Sequence, residues 1–89
     1  IKERVMAKKI KITDYPENEN ELTAQYIGKF IRAKRTQSGL TSHQTALLCN
    51  VPVDVITKLE NSSGGVTLDS FLKVVNGLSI NIQFEKDSK

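Results

Sequence analysis

The chain contains one cysteine, one histidine and no tryptophan. A single cysteine excludes an internal disulfide framework. Together with one histidine it falls short of the roughly four protein ligands that a structural zinc site needs. Phenylalanine and tyrosine make up only 6% of residues, and prolines number two. Apolar runs stop at two to four residues, as in Ala46-Leu47-Leu48-Cys49, so no stretch spans a bilayer. A basic-then-apolar leader is also missing, and the expectation is a chain without a signal peptide. Met6 opens a plausible reading frame, with residues 1–5 as an extension. A free thiol without staples suits a reducing cytoplasm. With 89 residues, 38% apolar and 26% charged, the composition is that of one small soluble globular domain. A domain this short buries about 60% of its unfolded surface. Four or five short helices fit that size; a doubly wound sheet with a cofactor crevice does not, and no cofactor is expected.

The net charge is +3, and its distribution is more informative than its size. Residues 1–13 carry Lys2, Arg4, Lys8, Lys9 and Lys11 against Glu3. Residues 14–21 carry Asp14, Glu17, Glu19 and Glu21. Lys29, Arg32, Lys34 and Arg35 then restore the positive sign. Basic segments of this kind meet phosphate, or they are simply solvated surface.

The spacing predicts four helices. Residues 14–20 read as a polar loop, broken by Pro16. Thr23 is a good N-cap, Ile27, Phe30 and Ile31 form one apolar stripe, and Gly39 is a natural stop, which gives a first helix over 24–37. Thr41 caps a second helix over 42–49, which Asn50 ends by taking positive φ. Pro52 opens a third over 53–60, with Val55, Ile56 and Leu59 on its buried face. Thr67 caps a fourth, whose expected core stripe is Leu68, Phe71, Leu72, Val75 and Leu78. After Leu78 the period changes to two. Ile80, Ile82 and Phe84 alternate with polar residues, as in a strand. A lone strand leaves its backbone unpaired, so this one pairs either with Ile10-Lys11-Ile12 or with its twin in a second copy. A homodimer is therefore expected.

Two short helices joined by Asn50-Val51-Pro52 make a helix-turn-helix, a shape that enters the major groove of DNA. The stretch 27–79 also resembles the Xre-type, lambda-repressor-like DNA-binding family. The matching residues are Ile31, Arg35, Gly39-Leu40-Thr41, Ala46, Val51, Ile56, Leu59-Glu60-Asn61 and Thr67-Leu68. Within that family, LENSSGGVTLDSFLKVVNGLSINIQFE looks most like HipB-type antitoxins, whose last helix is followed by a strand that pairs across a dimer. The resemblance implies an all-α, lambda-repressor-like domain of four to five helices. A short C-terminal β-strand follows it, with room for a short N-terminal one. The expected domains are a basic arm and acidic loop at 1–20, the helix-turn-helix domain at 21–79, and a dimerisation strand and tail at 80–89.

The resemblance assigns base reading to Val53, Asp54, Thr57 and Lys58; the plain alternative is an exposed helix face. Lys58 suits guanine, Asp54 a cytosine amino group and Val53 a thymine methyl. Thr41 and Ser42 suit a phosphate oxygen or simple capping, although the family usually has Gln at position 42. Asn61, Ser62 and Ser63 are implied phosphate contacts, with a helix cap as the other reading of Asn61. The third helix is not basic, so affinity must also come from Lys29, Arg32, Lys34 or the arm. Arg35 and Glu60 occupy positions that the family often joins by a buried ion pair. Leu47 and Leu48 stand where the family is usually polar and are candidates for a protein contact. His43 and Cys49 are six residues apart on one helix, about 240° of rotation around its axis, and cannot form a catalytic dyad, so an enzyme is not expected.

The sequence thus reads as a repressor that binds an inverted-repeat operator as a homodimer. More sharply, it reads as a HipB-like antitoxin that also binds a HipA-type kinase toxin. The alternatives are a stand-alone Xre-type regulator, and a protein-interaction module that has lost DNA binding.

Overall fold

The computed structural model describes residues 10–17 and 22–84. It contains α1 (Ala24–Gln37), α2 (Ser42–Cys49), α3 (Val53–Asn61) and α4 (Leu68–Gly77). Three of these helices start on a threonine whose hydroxyl accepts a backbone N–H. Thr23 accepts from Tyr26, Thr41 from Gln44 and Thr67 from Ser70. The fourth, α3, starts on Pro52, which has no N–H to leave unpaired.

All four helices end in the same left-handed turn. At the end of α1, Gly39 has φ +76° and the Leu40 N–H reaches back to the Arg35 carbonyl at 3.1 Å. Equivalent bonds run from Val51 to Ala46, from Ser63 to Lys58 and from Ile80 to Val75. The left-handed residues there are Asn50, Ser62 and Ser79. The reading of Asn61 as a helix cap is corrected on this point. Asn61 is the last residue of α3, and Ser62 takes the left-handed conformation after it.

The core is formed by Ile31, Ala46, Cys49, Ile56, Val74 and Leu78, with Ile27, Leu40, Val51 and Leu59 packed against its edge. It binds α1 to α3, α2 to α3 and α4, and α3 to α4. The α4 stripe is rotated from the expected one. Val74, Val75 and Leu78 are buried and Phe71 is half-buried, whereas Leu68 is 69% and Leu72 41% exposed. Positions 71, 74, 75 and 78 follow the i, i+3, i+4, i+7 repeat, and Leu68 and Leu72 lie some 60–100° off that line. Phe30 also leaves the expected stripe: its ring packs on Tyr15, with centroids 4.8 Å apart.

No strand forms among the described residues. Ile10–Ile12 and Ile80–Phe84 do not pair with each other, so the expected N-terminal and C-terminal strands do not form among the described residues. Alternation supplies a strand with a face but not with a partner. Ile80 packs at the core edge, while Ile82 is 43% and Phe84 94% exposed. The expected basic arm before Ile10 and the tail after Phe84 lie outside the described residues.

Candidate nucleic-acid interface

Helix α3 presents two faces of different chemistry. Ile56 is fully buried, and Leu59 and Glu60 turn inward beside it. Asp54, Thr57, Lys58 and Asn61 are exposed. At 100° per residue these four fall within an arc of about 100°, which is a single outward face. Val53 departs from the expected base-reading set, because it is half-buried and packs against the core. The Thr57 hydroxyl donates back to the Val53 carbonyl at 3.4 Å. Lys58 Nζ lies 3.5 Å from Asp54 Oδ2 in an exposed i, i+4 pair. Such a pair contributes about 0.3–0.5 kcal/mol, so it opens readily for another partner.

The tilt of α3 is set by buried polar chemistry at its C-terminal end. Arg35 Nε donates to Glu60 Oε2 at 2.6 Å and Arg35 Nη2 to Glu60 Oε1 at 3.0 Å. Arg35 Nη1 donates to the Leu40 carbonyl at 2.9 Å, which ties the pair to the turn after α1. The Glu60 side chain is 4% exposed and that of Arg35 13%. Arg32 joins the cluster from outside, Nε to Glu60 Oε1 at 3.1 Å. From sequence, Arg32 is only a source of positive charge. Its spacing of three from Arg35 was the available signal, since i and i+3 share a helix face.

Gly28 lets α1 and α3 approach closely. A Cβ there would lie 2.4 Å from the Leu59 carbonyl oxygen. Lys29, the next residue, is therefore carried on the helix that touches the end of α3, and it is exposed. Ser62 is half-buried at that end and Ser63 exposed.

The start of α2 is closed by a reciprocal cap. The Gln44 N–H donates to Thr41 Oγ1 at 3.1 Å, and the Thr41 N–H donates to Gln44 Oε1 at 2.8 Å. The Ser42 and His43 N–H groups are the ones that geometry leaves without an intrahelical acceptor. Thr41 and Ser42 are half-buried. Further along α2, Leu47 is 83% and Leu48 57% exposed. Cys49 is buried, its Sγ donates to the Val74 carbonyl at 3.7 Å, and burial raises its thiol pKa above the ordinary value of 9.0. His43 is exposed. Among the described residues no cluster of three or more His, Cys, Asp or Glu could hold a metal. No helix among them is long and apolar enough to cross a membrane.

The structure thus brings together Asp54, Thr57, Lys58 and Asn61 on one face, with Ser62 and Ser63 following at its far end, while Lys29 is exposed on α1. Sequence reasoning missed Thr36, a buried hydroxyl on α1 that bonds to Thr13. No local pattern announces that contact, since it joins residues 23 positions apart.

No protein-family model and no curated protein matches the chain. Solved structures do share its fold. A HipB variant in complex with the O2 20mer has 20% identity and a TM-score of 0.66, covering 82% of this chain and 100% of that one. HipB in complex with the O4 20mer has 21% identity and a TM-score of 0.66, covering 81% and 100%. A chain described as MDT Protein has 21% identity and a TM-score of 0.66, covering 81% and 100%. At these identities the likeness is one of fold, and the fold is a HipB-like helix-turn-helix.

Proposed function

We propose that this chain is a DNA-binding transcriptional regulator of the HipB-like antitoxin kind. It represses transcription by occupying an inverted-repeat operator as a homodimer. The observation that carries the reading is the exposed Asp54–Thr57–Lys58–Asn61 face on a short helix held at a fixed tilt by the Arg35–Glu60 pair. A narrow helix with such a face fits the major groove, and the preceding helix then meets the phosphate backbone. Thr57 and Lys58 read base edges, with Asp54 accepting from a cytosine amino group, while Val53 shapes the base of the helix. Ser42, Asn61, Ser62, Ser63 and Lys29 meet phosphates, and Thr41 acts chiefly by capping α2. That two structures of this fold hold HipB with 20mers supports the choice of a nucleic-acid ligand. The protein acts in the cytoplasm and is not an enzyme.

The finer reading adds two protein partners. The first is a second copy, which pairs with this one through Ile80, Ile82 and Phe84. The second is a HipA-type kinase toxin. Leu47 and Leu48 are the candidate contact for such a partner, because two adjacent leucines stand exposed there. The same two leucines favour the alternative of a protein-interaction module without DNA binding.

Binding to the duplex immediately upstream of the gene, measured at two salt concentrations, tests the proposal. Wild-type protein should bind with dimer stoichiometry and lose affinity steeply as salt rises. Lys58→Ala should cost about 1–3 kcal/mol and relax specificity at one base pair. Binding no tighter than to random duplex, by a protein that is still dimeric, would favour the interaction module.

A further inference from the structure

The chain before α1 is fastened to that helix at two points. Thr13 is gripped by its backbone: its N–H donates to Thr36 Oγ1 at 3.1 Å, and its carbonyl accepts from Gln37 Nε2 at 2.7 Å. The two threonine hydroxyls also lie 3.3 Å apart. Thr36 is 4% exposed, so an α1 hydroxyl is sealed beneath the arm, where it accepts the Thr13 N–H and donates to the Ala33 carbonyl of its own helix at 3.3 Å. The second point is Tyr15 against Phe30, earlier in α1. Thr13 sits by the C-terminal end of α1 and Tyr15 further back, so the arm runs antiparallel to the helix. Followed towards lower numbers, it passes the end of α1 and arrives where α2 begins. There a cleft of about 330 Å³ is lined by Lys11, Thr13, Arg32, Thr36, Thr41 and Ser42. Lys11 is exposed, and Arg32 is half-exposed beside it in the lining.

We infer that the Thr13 clamp is a positioning element that holds Lys11 at the rim of this cleft to bind a DNA phosphate beside the start of α2. The inference rests on the DNA-binding reading above and adds one contact to it. The chemistry is specific to a phosphodiester: a flexible ammonium group acts as a point charge towards phosphate and carries no base preference. The clamp removes the freedom of an otherwise loose arm before binding, so less order has to be gained in the complex. It also supplies positive charge that α3 lacks, where Lys58 faces Asp54.

The test uses the whole chain and a random-sequence duplex of about 30 base pairs, because a phosphate contact acts on any sequence. Lys11→Ala should lower the slope of log affinity against log salt by about 0.9 and weaken binding roughly five- to tenfold near 0.1 M salt. Lys11→Arg should restore the slope. Gln37→Ala, at an exposed position, and Thr36→Val should each reproduce part of the loss, and neither should add to it when combined with Lys11→Ala. A merely structural role for the clamp would shift the melting temperature and leave the salt slope unchanged. Wild-type slope in Lys11→Ala overturns the inference while leaving DNA binding intact. Failure of wild-type protein to bind any duplex overturns both.

Discussion

At the scale of single residues, the positions that matter most are those where α1 meets α3. Gly28 is there because nothing larger fits against the Leu59 carbonyl. Gly28→Ala therefore should not bring the usual helix-propensity gain. It forces the two helices apart, and a loss of about 1–3 kcal/mol is expected in denaturant unfolding. Glu60 is the acceptor for two guanidinium groups, one of them well buried. Glu60→Ala leaves Arg35 without its counter-ion, and the penalty for stranding a buried charge reaches about 3–5 kcal/mol. Arg35 keeps its bond to the Leu40 carbonyl and some solvent, so the lower part of that range is expected, read from the same unfolding experiment. DNA binding by any folded remnant should fall as well, since α3 loses the contact that sets its tilt.

At the scale of elements, the helices were legible because their ends are written in short-range chemistry. Thr23, Thr41 and Thr67 accept N–H groups three residues on, and Gly39 and Asn50 tolerate positive φ. The boundaries of α1 and α2 follow from those residues alone. Ser62 and Ser79 also turn left-handed, but serine carries no such preference, so the end of α3 was read one residue short. The face of α4 was misread for a different reason. Leu68 and Leu72 are as apolar as Val74, and hydrophobicity cannot rank them until α2 supplies the surface that α4 packs against. The arm is visible as a basic segment, but its docking on α1 is illegible because its anchor at Thr36 lies far along the sequence. Of the candidate interface, Asp54, Thr57 and Lys58 on α3 are implied by the family resemblance, whereas the pairing of Arg32 with Glu60 is not. Element ends also yield a direct prediction. Thr41→Ala removes the hydroxyl half of the reciprocal cap and should cost about 1 kcal/mol. For a domain of this size that is a fall of about 4–8 °C in melting temperature, readable by circular dichroism.

At the scale of the whole molecule, the described residues form four helices, with one outward polar face on α3 and a C-terminal segment that pairs with no strand among them. Ile82 is 43% and Phe84 94% exposed at the end of the described residues. If they pair with a second copy, proline within the segment removes a ladder donor and clashes with the strand geometry. Ile82→Pro should then raise the dimer dissociation constant at least about tenfold in sedimentation equilibrium, with helix content unchanged. An unchanged dimer would place the contact elsewhere, with Leu68 and Leu72 as the next positions to alter. On the proposed function, DNA meets the outward face of α3 and the start of α2. Amide chemical-shift mapping during titration with the upstream duplex tests it most directly. Shifts are expected at Asp54, Thr57, Lys58 and Asn61, and at Ser42 and His43, whose N–H groups have no intrahelical acceptor. Shifts confined to the Leu47–Leu48 surface, or none at saturating duplex, would contradict it.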